Sequence, residues 1–296
     1  MKKIDRRQFI RTGLAGIAGF SVINAGIIQG CTVVPEIIGQ VELGNTGVTV
    51  SQIAMGTGTV GYNNGSNQTR LGMEKFVGML RHGYERGIRF FDMADGYGSH
   101  SYVGEGIKPY AREDVVLMTK IWTSPDGSDN LQSVEETLNR YRKEMGVDYI
   151  DIVLMHCMMN GNWAKDRTHY MEGLERAKQR GIIRVTGVSC HNIDALAEAA
   201  ENPWVDVIMA RLNPFGAHMD GTVDEVNAIL AKAVAKGKGV IGMKVFGEGK
   251  HITEAEREQS IKFNLTEGNV HCLTLGLESI EQMDDAVDRV LRLSKL

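Results

Sequence analysis

The sequence predicts an α/β protein: a (β/α)8 TIM barrel with an N-terminal β-hairpin. Three observations carry this reading. Short apolar runs alternate with amphipathic helices from residue 41 onward. The runs number eight, at 53–55, 89–92, 115–120, 149–155, 184–188, 207–211, 240–245 and 270–275. Eight such units over about 250 residues is the size of a (β/α)8 barrel. No GxGxxG follows the first run, so the doubly wound sheet, which shares the alternation, lacks its usual fingerprint. With 43% apolar residues and no Pro/Ser-rich interruption, residues 41–296 read as one domain.

The elements follow in order. Residues 1–11 are basic and hold Arg6 and Arg7 in DRRQFIR, and residues 12–30 are uncharged. A basic start before an apolar stretch is an export pattern, and paired arginines point to the twin-arginine route. We read 1–30 as an export signal or anchor, 31–40 as a linker and 41–296 as the barrel. IIQGC, ending on Cys31, resembles a lipoprotein cleavage site, with Gln29 departing from it. An uncleaved anchor stays open, because a stretch of this length just reaches across a bilayer. The expected location is exported: periplasmic, or held on the outer face of the cytoplasmic membrane through residues 1–31. The export machinery is then a partner.

Residues 41–51 read as a hairpin, with Asn45, Thr46 and Gly47 as its turn. Gly87, Gly146, Gly181 and Gly239 each precede an apolar run. Glycine after a helix takes the left-handed conformation cheaply and returns the chain to the sheet. Leu131, Val134, Leu138, Tyr141 and Met145 share one helical face. Thr253 with Glu256, and Ser279 with Gln282, have capping-box spacing at the seventh and eighth helices.

Charge and cysteines exclude some functions. The net charge of −4, with no basic run after the first dozen residues, argues against nucleic acid. Cys31, Cys157, Cys190 and Cys272 show no CxxC spacing, so neither a zinc site nor a disulfide framework is expected. Cys157 adjoins His156 and Cys190 adjoins His191, but strand neighbours face opposite ways and chelate poorly. No metal site is expected.

Chemistry concentrates at the ends of three runs. IRFFD ends on Asp92, with Tyr97 just beyond; VVLMTK ends on Lys120; YIDIVLMH ends on His156. Barrel function sits at the C-terminal rim. A carboxylate, a phenol, an ammonium and an imidazole gathered there suit proton transfer to a carbonyl oxygen.

These segments resemble the aldo-keto reductase family. LGNTGVTVSQIAMGTGTVG is similar to its opening hairpin and first strand, FFDMADGYG to its Asp and Tyr segment, IRVTGVS to its fifth strand and GVIGMKVFGEG to its seventh. The resemblance runs from about residue 41 to the end. It implies Tyr97 as general acid, Lys120 as the cation that lowers the phenol pKa, Asp92 as the partner of Lys120, and His156 as the group orienting a small-molecule carbonyl substrate. It implies NADP(H) or NAD(H) as cofactor, held by Gly56, Thr57, Ser189, Lys244, Ser279, Gln282 and Asp285. The capping box is a compatible reading of Ser279 and Gln282, since a helix N-terminus also attracts phosphate.

The chain departs from the family at several positions. Cys190 and His191 follow the fifth-strand Ser where Asn is frequent. Met209 and Leu212 stand for a Gln and an aromatic, with Arg211 between. Glu278 stands where a cation would hold a 2′-phosphate, which weakens the case for NADP(H). The C-terminal cysteine cluster of some relatives is missing, so no iron–sulfur centre is expected. Trp122, Trp163, Phe215 and Phe246, with Met158 and Met159, are candidates for a pocket wall or for packing. The resemblance implies a carbonyl reductase or alcohol dehydrogenase; a nicotinamide-binding redox sensor with little turnover is the alternative.

Overall fold

The computed structural model describes residues 36–124 and 133–295. The expected export signal, Cys31 and Leu131 lie outside these residues.

In chain order the elements are β1 (Gln40–Glu42), β2 (Thr49–Ser51), β3 (Ile53–Gly56), α1 (Asn67–Arg70), α2 (Met73–Glu85), β4 (Phe90–Asp92), α3 (His100–Ile107), β5 (Val116–Trp122), α4 (Val134–Met145) and β6 (Ile150–Met158). Then come α5 (Trp163–Asp166), α6 (Thr168–Gln179), β7 (Ile183–Cys190), α7 (Ile193–Glu201), β8 (Val207–Arg211), α8 (Val223–Ala235), β9 (Gly239–Met243), α9 (Glu254–Thr266), β10 (Cys272–Gly276) and α10 (Ile280–Leu293). Strands β3 to β10 form a closed parallel barrel, because β10 pairs with both β9 and β3. The antiparallel pair β1–β2 is the expected hairpin. Ile38, in the segment read as a linker, is buried and donates its N–H to Arg86 O at 3.0 Å.

Alternation along parallel strands divides the core in two. One set, including Ala54, Phe90, Met118, Leu154, Val185, Met209, Ile241 and Cys272, fills the barrel interior. Leu43, Val48 and Val50 of the hairpin join that cluster, so the hairpin closes the N-terminal end. The larger set lies between strands and helices and takes Leu138, Tyr141 and Met145 of the expected α4 stripe. Ser133 and Glu136 cap α4 reciprocally, and Gly146 ends it at φ +69°.

Two local expectations change. Gly87 and Gly181 are left-handed as expected, but before β9 that role falls to Gly237, at φ +79°. Gly239 instead begins β9, where a Cβ would lie 2.6 Å from Leu43 Cγ. Its small size admits the hairpin plug. Thr253 and Glu256 form a full capping box. Ser279 caps α10 through the Gln282 N–H, while Gln282 Oε1 accepts from the Glu278 N–H.

Candidate active site

The alternation that fills the interior also supplies its upper ring. Two residues beyond Phe90, Met118, Leu154 and Met209 stand Asp92, Lys120, His156 and Arg211, and Ser189 and Thr274 hold equivalent places on β7 and β10. Lys120 is 1% exposed and Asp92 4%. A buried ammonium persists only with partners. Lys120 Nζ donates to Asp92 Oδ1 and, at 2.9 Å, to Met93 O. Asp92 Oδ2 accepts from Thr274 Oγ1 at 2.9 Å.

Tyr97 lies on a single 3-10 turn, Asp95–Tyr97, with Lys120 Nζ 5.1 Å from its ring centroid. The ring rests on the loop after β3: a Cβ on Gly58 or Gly61 would lie 2.2 or 2.5 Å from it. Behind the turn, Arg140 pairs with Asp95 at 2.8 Å and Glu144 at 3.1 Å. His100 bonds Glu144 at 2.8 Å and Thr119 Oγ1 at 2.7 Å. These bonds fasten the turn to α3, α4 and β5.

Lys120 acts on the Tyr97 pKa in the expected downward sense, but it does not set the net direction. Burial is the largest influence and raises it; Lys120 lowers it and the Asp92 charge raises it again, so the net direction is upward. The resting phenol keeps its proton. Burial also disfavours the Lys120 ammonium, but Asp92 and then Tyr97 reverse this and its pKa rises.

His156 sits at a register shift between Met155 and Met158 in the β6–β7 ladder. Cys157 takes φ +70° there, and its N–H donates to Ser189 Oγ at 2.9 Å. Such bulges re-aim side chains beside active sites. The His156 ring stands 6.1 Å from Tyr97 and 4.4 Å from Trp122, centroid to centroid. Burial, then the Lys120 charge, push its pKa well down, so it is neutral. Its Nδ1 is buried with no partner among the described residues.

The candidate cofactor residues separate into those at the mouth and those farther out. Gly56 lies in register with Gly276 and with Asp92. Thr57 is fully buried toward the start of α3: its hydroxyl donates to Asp92 O at 2.8 Å and meets Ser99 Oγ at 2.7 Å. Lys244, at φ +56°, pairs with Glu248 at 2.5 Å. Ser279, Gln282 and Asp285 lie on the first turns of α10, where Asp285 is ion-paired with Arg257 and Arg289 at 2.9 and 2.8 Å. Glu278 accepts from Asn67 Nδ2 at 2.8 Å.

These groups suit a nicotinamide dinucleotide. Ser189 accepts from Cys157 and keeps its own proton for an amide oxygen. Lys244 and the α10 N-terminus favour phosphate.

Two aromatic and Met candidates leave the pocket. Trp163 is fully buried and donates to Ala195 O at 3.2 Å, and Met158 is fully buried between strands and helices. Trp122 and Met159 remain exposed, and Phe215 stacks on His251 at 3.9 Å. Asp220 was not legible in sequence as a site residue. It pairs with Arg211 at 3.3 Å, and Arg211 bonds His191. The inward parity of Arg211 on β8 is the signal that could have found this cluster. Among the described residues, no group of three His, Cys, Asp or Glu could hold a metal ion.

Comparison with known proteins agrees with this architecture. Residues 52–294 match the model of the Aldo/keto reductase family. L-galactose dehydrogenase of Arabidopsis thaliana is 23% identical over 295 residues, 86% of this chain and 88% of that protein. The NADH-specific methylglyoxal reductase of Escherichia coli is 25% identical over 190 residues, 58% of each. Among solved structures, aldo-keto reductase AKR11C1 of Bacillus halodurans in its holo form superposes with a TM-score of 0.65 at 19% identity, covering 86% of this chain and 91% of its own.

Proposed function

The chain belongs to the aldo/keto reductase family and is an NAD(P)(H)-dependent oxidoreductase, and from that premise we propose that Tyr97 is the acid that protonates a substrate carbonyl oxygen. Bound at the mouth, the nicotinamide supplies the hydride, which no side chain can donate. The protein's own residues manage the proton. Tyr97 holds it in the resting site because burial raises the phenol pKa. As the proton leaves, charge grows on the phenolate oxygen, and the Lys120 ammonium favours that charge. Asp92, Met93 O and Thr274 keep the ammonium and its counter-ion in place. His156 is neutral, so one ring nitrogen can donate to the carbonyl oxygen and orient it.

The observation that carries this reading is the buried Lys120 amine, bonded to the Asp92 carboxylate and 5.1 Å from the centre of the Tyr97 ring. Tyr97→Phe removes only the hydroxyl. Carbonyl reduction should fall by at least about 10²-fold, the usual worth of a general acid, while dinucleotide binding by fluorescence titration persists. Near-wild-type turnover would overturn the assignment.

The cofactor contacts proposed at the mouth are Gly56, Ser189 and Lys244; Ser279, Gln282 and the α10 N-terminus serve the phosphate end. Glu278, half-buried beside that end, favours NAD(H), and the NADH-specific relative is in keeping with this. Export by the twin-arginine route is part of the same proposal, motivated by Arg6 and Arg7 before an uncharged stretch. Changing both to Lys keeps the charge. Cell fractionation should then find the protein retained in the cytoplasm, and continued export would reject that route.

A further inference from the structure

The Tyr97 turn is tied to the neighbourhood of Lys120 from inside the barrel and from outside it. Inside, Lys120 Nζ lies 5.1 Å from the centre of the Tyr97 ring. The outer tie begins one residue earlier on β5. Alternate residues of a strand face opposite ways. Lys120 points into the mouth, so Thr119 points toward the helices, where it is fully buried. Thr119 Oγ1 lies 2.7 Å from Nε2 of His100, at the start of α3. His100 Nδ1 lies 2.8 Å from Glu144 Oε2 on α4. Glu144 Oε1 accepts from Arg140 Nη1 at 3.1 Å, and Arg140 Nη2 meets Asp95 Oδ1 at 2.8 Å. Asp95 opens the turn that ends on Tyr97. An unbroken chain of side chains therefore runs from the neighbour of Lys120 to the turn of Tyr97.

The two ends of this chain differ in exposure. The His100 side chain is 3% exposed, whereas Arg140, Glu144 and Asp95 are 36, 35 and 29% exposed. Ion pairs this open to solvent add little to stability. The turn they reach is the part that needs holding. A 3-10 turn has poorer hydrogen-bond geometry than an α-helix, and this one closes through Tyr97 N–H to Ala94 O at 3.1 Å. The Arg140–Asp95 bond is therefore placed to fix where the turn stands over the mouth more than to hold the fold together. We propose that Arg140, backed by Glu144 and His100, is a positioning residue for Tyr97: through Asp95 it keeps the phenol at reacting distance from the carbonyl oxygen and beside Lys120. This rests on the reading of Tyr97 as the acid.

The test is steady-state reduction of a panel of simple aldehydes. Arg140→Met keeps an unbranched side chain and removes the charge. Its kcat should fall by about tenfold, part of the roughly 10²-fold that about 1 Å of misplacement costs. The dissociation constant of NADH, read by fluorescence titration, and the melting temperature should stay near wild type. Arg140→Lys returns a cation to the same place and should recover most of the loss. Asp95→Ala should show a similar loss, and adding Arg140→Met to it should cost little more, because the path is already cut. An unchanged kcat in Arg140→Met overturns the proposal. Equal losses from Arg140→Met with and without Asp95 also overturn it, by assigning Arg140 to another partner. So does a loss of kcat that comes with a lowered melting temperature or weakened NADH binding, which makes the pair structural only. Each of these leaves the role of Tyr97 standing. Near-wild-type turnover of Tyr97→Phe, or failure of the wild type on the whole panel, would instead sink the reading of Tyr97, and this one with it.

Discussion

Replacing Lys120 by Met isolates what the buried ion pair does for the fold. Lys120 is 1% exposed and Asp92 4%. The ammonium bonds the Asp92 carboxylate and Met93 O and lies 5.1 Å from the centre of the Tyr97 ring. Without it, Asp92 keeps only the Thr274 hydroxyl, at 2.9 Å. Breaking a buried pair by removing one partner costs about 3–5 kcal/mol, because the remaining charge stays buried. With a urea m-value of about 3 kcal/mol/M, the unfolding midpoint of Lys120→Met should drop by roughly 1 M or more. Adding Asp92→Asn removes the stranded charge. The double variant should regain at least about 2 kcal/mol, since buried pairs are often replaceable as a unit. Both variants should lose carbonyl reduction, because both lack the cation beside Tyr97. Urea unfolding followed by circular dichroism measures the first effect and dinucleotide oxidation the second. A single variant within about 1 kcal/mol of wild type, or a double variant no more stable than the single, would refute the reasoning.

Two further outcomes follow from the same geometry. His191 has a folded pKa of about 3 against an ordinary 6.5. The unfolded chain therefore binds a proton that the fold refuses, and stability is lost as pH falls below about 6.5. Between pH 7 and 5 this ring accounts for about 2 kcal/mol. Asp220, raised to about 6, works in the opposite sense but is present in both proteins, so urea unfolding of wild type against His191→Gln should show the wild type losing about that much more; equal losses would count against a buried neutral imidazole. At the other end of the cofactor site, Glu278→Lys should tighten NADP(H) relative to NAD(H) by the equivalent of about 1 kcal/mol, read by fluorescence titration of both dinucleotides. An unchanged ratio would move the 2′-phosphate away from this loop.

The sequence by itself determined the barrel. Strand alternation and left-handed glycines after helices are local signals, and each depends on a few neighbouring residues. The positions of Asp92, Lys120 and His156 followed too, because each ends an apolar run and barrel function sits at the ends of such strands. Tertiary structure decided what depends on groups far apart in the chain. Gly237 rather than Gly239 turns the chain before β9, because α8 is capped at Lys236 and Gly237 is the next residue, while Gly239 makes room for the hairpin plug. The direction of the Tyr97 pKa depends on how burial weighs against Lys120 and Asp92, and no motif states that balance. The bulge at Cys157 comes from pairing with β7. His191 follows β7, Arg211 ends β8 and Asp220 lies in the loop after it, and the pairing of β7 with β8 and the path of that loop bring the charged fork, its carboxylate and the imidazole within bonding distance. Desolvation and long-range pairing are sums over the folded neighbourhood, and that neighbourhood exists only once the chain has closed.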